Sequence, residues 1–297
     1  MSYFFETIDR KTLTKLLGDI DDGIDKLRTV LLLFTESFVS HDEVHMLVEA
    51  IAVRRLIGER TPEDARTKIR QELHYACKTG NLCYAKWLTT QFQLTTTDAR
   101  SNDNWALLFA CNNGHLEVAK WLTEEFQLTP TDARCKDNYA LRWACYNGHL
   151  EVVKWMTEEF QLTANDARTD NNWGLRLACE NDHLEVAKWL TTQFQLAPTD
   201  ARIAGTWAFR LSCLRGHLEM AKWLTEEFQL TFTNAKCRYL AFQMACHNGH
   251  LDVAKWLTAQ FQLTSTDARS DDNLALRLAC SNGHDDVAEW LRTEFGL

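Results

Sequence analysis

Long apolar runs are missing from this chain of 297 residues. The longest near the N-terminus, Val30 to Phe34, is far too short to cross a bilayer, and MSYFFETIDRK has neither the basic start nor the apolar stretch of a secretory signal. Both absences argue against a membrane or exported protein, and the expected setting is intracellular, in the cytoplasm. Positive charge is in deficit as well: 41 acidic residues outnumber 32 basic ones, for a formal net charge of -9. That balance disfavours an electrostatic grip on nucleic acid or anionic lipid and suits a basic partner better. There is no phosphate-cradling glycine loop, no H-E-x-x-H and no G-x-S-x-G, so no enzyme activity, catalytic residue or cofactor is expected. Proline is scarce, and its three copies, Pro62, Pro130 and Pro198, share one setting within a repeating pattern.

Repetition is what the chain has in quantity. The string NGHLEVAKW at residues 113–121 returns as NGHLEVVKW, NDHLEVAKW, RGHLEMAKW, NGHLDVAKW and NGHDDVAEW. Aligned on tryptophan at 87, 121, 155, 189, 223, 256 and 290, the step is 34 residues, with one step of 33. Seven units then tile the chain at 61–94, 95–128, 129–162, 163–196, 197–230, 231–263 and 264–297. A period in this range marks a solenoid of stacked modules.

Each unit can be read through the second. Thr95 is followed three residues later by Asp98, the spacing of a capping box. The prolines come immediately after this cap position, where a missing amide costs nothing, so a short helical turn is expected at T-x-x-D-A-R. A first long helix is expected from about Asn104 to Asn112. Leu107, Ala110 and Cys111 form a face that barely changes between units, and residues 105, 108, 109 and 112 form one that changes freely. Gly114 ends this helix with a left-handed residue, a role that Asp182 takes in the fourth unit. A second helix is expected from Leu116 to about Phe126, where Val118, Ala119, Trp121, Leu122 and Phe126 make a wide apolar stripe. Its recurrent tryptophan is read as core volume, in preference to a stacking platform for bases or a cation cage. Seven cysteines, Cys77, Cys111, Cys145, Cys179, Cys213, Cys246 and Cys280, recur once per unit after a small residue and read as reduced packing thiols. In the last unit Asp285, Glu289 and Arg292 make the outer face polar, as a terminal cap requires.

The segment NGHLEVAKWL and the pattern A-L-x-x-A-C-x-x-G-H resemble ankyrin repeats, and the likeness covers residues 61–297. Two features depart from that family. Pairs such as Trp105-Ala106 and Tyr139-Ala140 replace the Thr-Pro of its first helix, and FQLTPTDAR stands where its Gly-Ala-Asp stretch leads into the β-turn. A nearly all-helical variant without projecting β-hairpins is expected. The fold class is thus all-α: an ankyrin-like helical-repeat solenoid of seven units with a helical N-terminal cap, residues 1–60 acting as that cap or as a docking segment.

The resemblance implies a non-enzymatic module that recognises other proteins through the turn before its first helix and the exposed end of that helix. In this chain the turn positions are Ser101, Asn102, Cys135, Lys136, Thr169, Asp170, Ile203, Arg238 and Asp271. The helix-end positions are Asn112, Tyr146, Glu180, Leu214, His247 and Ser281. With aromatic anchors added, the candidate partner-binding set is Trp105, Asn112, Tyr139, Arg142, Tyr146, Trp173, Arg176, Glu180, Trp207, Arg210, Leu214 and His247.

Two recurrent patterns suggest chemistry. Arg142, Arg176, Arg210 and Arg277 form a column on the variable face, either a ladder for an acidic peptide or phosphate chain or a set of ion pairs with Asp137, Asp170 and Asp272; pairing is the preferred reading. A second set, Arg100, Arg134, Arg168, Arg202 and Arg269, is regular enough to staple adjoining repeats. The pairs Cys111/His115, Cys145/His149 and their copies resemble metal ligands, but a structural zinc needs four ligands in one sphere and successive units stand roughly 10 Å apart. No metal site is expected, and by the ankyrin analogy these histidines hydrogen-bond the turn. The expected chain is a monomeric scaffold for protein partners of unknown identity, without nucleic acid or membrane. The rival readings are an adaptor whose residues 1–60 recruit an enzyme complex, and a binder of single-stranded nucleic acid.

Overall fold

The computed structural model describes residues 62–196, 198–230 and 235–297, with backbone alone at 62, 198–206 and 235–238. The expected cap or docking segment at residues 1–60 lies outside the described residues, as do the side chains of Ile203 and Arg238. The described residues hold 17 helices and no strand. In chain order these are α1 (Pro62–Thr79), α2 (Leu82–Phe92), α3 (Thr96–Ala99), α4 (Ser101–Asn112), α5 (Leu116–Phe126), α6 (Pro130–Ala133), α7 (Cys135–Tyr146) and α8 (Leu150–Glu159). They continue as α9 (Ala164–Glu180), α10 (Leu184–Gln193), α11 (Pro198–Arg215), α12 (Leu218–Glu227), α13 (Ala235–His247), α14 (Leu251–Phe261), α15 (Ser265–Ala268), α16 (Ser270–Ser281) and α17 (Asp285–Phe295). The described residues fall into two compact units, the first running to Ala110 and including Glu117–Gln127, the second of Cys111–Leu116 with the described residues from Leu128 to Leu297. Within the second unit the first helices α7, α9, α11, α13 and α16 pack in sequence, and each also packs against the second helix that follows it.

Local sequence explains each piece of a repeat. The expected capping boxes form at Thr95/Asp98, Thr129/Asp132, Thr163/Asp166 and Thr264/Asp267. Asp98 accepts from the Thr95 amide at 2.8 Å and from its hydroxyl at 2.9 Å, so one carboxylate satisfies the helix entry. The long helix then begins later than its first hydrogen bonds suggest. Asn102, Asp103 and Asn104 have φ of 52°, 59° and 63°, three left-handed residues in succession. The same turn recurs at Lys136–Asn138, Asp170–Asn172 and Asp271–Asn273. All but one of its residues are Asn or Asp, the non-glycine types that tolerate this region best.

Helix ends are left-handed too, but by different means. Gly114 has φ 77° and Asp182 φ 62°, as expected for the first helix. The second helix ends on glutamine: Gln93, Gln127, Gln161, Gln195, Gln229 and Gln262 all have φ between 46° and 51°. A buried leucine explains the strain. The Leu94 amide reaches back to Thr89 O at 3.0 Å, and Leu162 and Leu196 repeat the bond to Thr157 and Thr191 at 3.0 Å, the six-to-one closure of a Schellman motif. Leu94, Leu128, Leu162, Leu196 and Leu263 are all buried, so apolar burial after the cap outweighs the disfavoured backbone at glutamine.

The core follows the expected faces, with two corrections. Leu107, Ala110 and Cys111 of the first helix and Val118, Ala119, Leu122 and Phe126 of the second are buried. Trp121 and its six counterparts are not: each is half-buried. The ring instead packs edge-on against the phenylalanine five residues later, at 5.8 Å for Trp121–Phe126 and 5.6 Å for Trp155–Phe160. Six of the seven recurrent cysteines are buried, but Cys280 is exposed: among the described residues no further first helix packs against its own.

Candidate functional site

The left-handed turn and the residue after it make the surface. Because Ala106, Leu107, Ala110 and Cys111 take the inner face, position 105 must point outward. Trp105 is 40% exposed, Trp173 37% and Trp207 42%, and with Tyr75 they are the exposed large hydrophobic residues among those described. Tyr139, at the same register, is half-buried and stands edge-on to Trp143 at 5.8 Å; Trp143 meets Tyr146 at 5.0 Å. In the first unit, Trp105 packs edge-on against His74 and Phe109. Turn residues Asn102, Asp103, Lys136, Asp137, Asp170, Asn171, Asp271 and Asp272 are exposed beside them.

The arginine column does not lie uniformly on this surface. Arg142 is only 7% exposed. Its guanidinium donates to the carbonyls of Asp137 at 2.6 Å and Lys136 at 3.1 Å, binding the left-handed turn from within. It also reaches Asp170 of the next repeat at 3.4 Å and lies 4.7 Å over the Trp173 ring. Arg176 and Arg210, both half-buried, flank Trp207 at 5.7 and 4.9 Å. Arg277 is exposed.

The helix-end row has a second duty. Asn112, Tyr146, Glu180, Leu214 and His247 are half-buried, and Ser281 is exposed. The carbonyls of Asn112, Glu180 and Leu214 bond His149, His217 and His250 at 3.1, 3.0 and 2.9 Å. The histidines therefore tie the turn of the preceding repeat, a link that a reading confined to one repeat does not find. Asn282 does the same work at His247 O, 3.1 Å away. Arg215 pairs with Glu180 at 3.0 Å, which leaves that carboxylate committed.

Of the five regular arginines, Arg134 is seen to staple adjoining repeats, Arg269 binds within its own repeat, and the Arg202 side chain lies outside the described residues. Arg134 donates to Asp166, the capping-box carboxylate of the next repeat, at 2.7 and 3.1 Å, and to Gln161 O at the end of its own second helix. Arg66 makes the same junction with Asp98 and Phe92 O. Arg269 bonds Phe295 O and Gly296 O of its own repeat. Burial acts to raise the Asp166 pKa, yet the bonds from Arg134 and Thr163 prevail and hold it down at about 2. Burial pushes the Cys145 and Cys246 thiols up to about 12, so they are neutral packing groups. Among the described residues no three His, Cys, Asp or Glu side chains gather as metal ligands.

Comparison with known proteins places these features. The family model described as ankyrin repeats (3 copies) matches residues 125–201 and 207–296. Among solved structures, an ankyrin repeat family protein from Legionella pneumophila is similar to this chain at 22% identity, covering 84% of this chain and 77% of its own, with a TM-score of 0.40. No curated protein matches.

Proposed function

This chain belongs to the ankyrin repeat family, and from that premise we infer that it is a protein-binding scaffold whose contact surface is built from the left-handed turns and the outward aromatic residues of its first helices. Ankyrin repeats are generally protein–protein interaction modules, and the family is typically non-enzymatic. One observation carries the finer reading. Among the described residues almost every large apolar side chain is buried or half-buried, whereas Trp105, Trp173 and Trp207 are held open to solvent at one register. Tryptophan supplies large contact area at low entropic cost, and a surface ordered before binding loses little freedom on association. Among the described residues no helix is long and apolar enough to cross a membrane.

The test is a double substitution, Trp173→Ala with Trp207→Ala. Partners isolated from the native cell should bind the variant at least tenfold more weakly, a loss of about 1.4 kcal/mol. Far-ultraviolet circular dichroism should be unchanged. Undiminished capture by the variant would refute this surface.

A further inference from the structure

The arginine register divides into paired and unpaired positions, and the difference lies in the turn that follows each. Arg142 faces the turn of the fourth repeat and finds Asp170. Gln243, at the same register in the sixth repeat, faces the turn of the seventh and donates to Asp271 at 3.2 Å. For Arg176 and Arg210 the sequence of the next repeat's turn supplies no carboxylate: residues 203–206 read Ile-Ala-Gly-Thr, and 236–239 read Lys-Cys-Arg-Tyr. Among the described residues neither arginine has an ion pair, and the Nε of each is buried without a hydrogen-bond partner. A buried donor left unmade costs about 1–3 kcal/mol. Both guanidiniums rest on the same ring, that of Trp207, which is itself 42% exposed.

We propose that Arg176, Trp207 and Arg210 form a receptor for a short acidic segment of a partner protein, its carboxylates supplying the ion pairs that the turns of the fifth and sixth repeats withhold. This deepens the protein-binding reading and rests on it. The extent of the patch selects the ligand. It is bounded on one side by Arg142, already neutralised, and on the other by the uncharged Gln243. A polyphosphate strand needs a continuous run of cations, which a chain of net charge -9 does not offer here. Two guanidiniums one repeat apart, roughly 10 Å by helix packing, instead match acidic side chains at every third residue of a polyproline-II segment, about 9 Å apart. Planar guanidinium groups already held on an indole ring are preorganised for bidentate bonding to carboxylate.

The probe is a fluorescein-labelled peptide of four Glu-Pro-Ser triplets, followed by anisotropy against the whole chain. It should bind and weaken with added salt, whereas the Gln-Pro-Ser counterpart should not bind. R176Q/R210Q should weaken binding at least tenfold, and R277Q should leave it unchanged. Charge reversal guards against misfolding: R176E/R210E should gain binding of a Lys-Pro-Ser peptide. The proposal is overturned if the Glu peptide fails to bind, if R176Q/R210Q binds within twofold of the parent chain, or if oligothymidylate binds through these arginines more tightly than the peptide. A partner that is lost from W173A/W207A but retained by R176Q/R210Q would overturn the acidic-segment assignment alone. A partner retained by both variants would overturn the aromatic surface as well.

Discussion

The Asp166 carboxylate serves two repeats at once, capping its own helix through Thr163 and receiving Arg134 from the repeat before. Its folded pKa of about 2 lies below the roughly 3.9 of a free aspartate. As pH falls the unfolded chain therefore takes up the proton first. The stability this group contributes is complete above about pH 4 and is lost as pH drops towards 2. Asp166→Asn should cost about 1–2 kcal/mol at neutral pH, from the lost cap and charge-assisted bond. Urea midpoints followed from pH 5 to pH 2.5 should fall less steeply for the variant than for the parent, and parallel curves would refute the assignment. Glycine offers a second test. Gly114 and Gly283 share a left-handed φ of 77° and 75°, but a Cβ at Gly114 would lie 2.6 Å from His149 Nδ1, whereas at Gly283 nothing lies within 4 Å. Gly283→Ala should cost only the backbone term, about 1–2 kcal/mol, and Gly114→Ala about 1–3 kcal/mol more, in denaturant titrations.

Among the elements, the second helix pays most visibly for its ending. Gln161 has φ 47° because Leu162 must turn back into the core. Gln161→Gly should raise stability by about 1 kcal/mol, since glycine adopts this backbone freely. The first helix of the fourth repeat contains Gly174 where its neighbours have Ala106, Ala140, Ala208 and Ala275, beside a gap lined by Leu141, Cys145 and Leu175. An added Cβ would meet Cys145 Sγ at 3.5 Å, an ordinary contact, so Gly174→Ala should gain about 1 kcal/mol in thermal unfolding. Periodicity exposed both helices, the capping box and the glycine stop, because each rests on residues a few positions apart. The glutamine cap is illegible for a physical reason: its backbone is dictated by burial at Leu162 and not by the residue that bears the strain; the left-handed turn does leave a local signal, its run of Asn and Asp, but such a run also fits an ordinary loop. Trp121 was misread for a related reason, since repetition reveals register but not depth.

For the molecule as a whole, cohesion comes from links of one pattern made between neighbours. His149 to Asn112, Arg134 to Asp166 and Asn138 to Thr169 each join adjacent repeats of the second unit. Stability in such an array is a sum of repeat and nearest-neighbour terms. Leu190→Ala, at a buried position in the fourth repeat, should therefore cost about 2–5 kcal/mol and speed hydrogen exchange in the third to fifth repeats more than in the seventh. Equal acceleration throughout the unit would contradict this. The same logic explains why partner-facing residues were only partly legible: sequence identified the register that varies, but whether Arg142, Arg176 or Arg210 is spent on a neighbour depends on the turn of the next repeat.

One sealed thiol in each of the second to sixth repeats gives the chain a built-in set of clocks. Cys111, Cys145, Cys179, Cys213 and Cys246 are buried and protonated, so an alkylating reagent can reach each only when its own layer opens. The order in which these sulfurs acquire label, resolved peptide by peptide, would trace the sequence in which the stack comes apart.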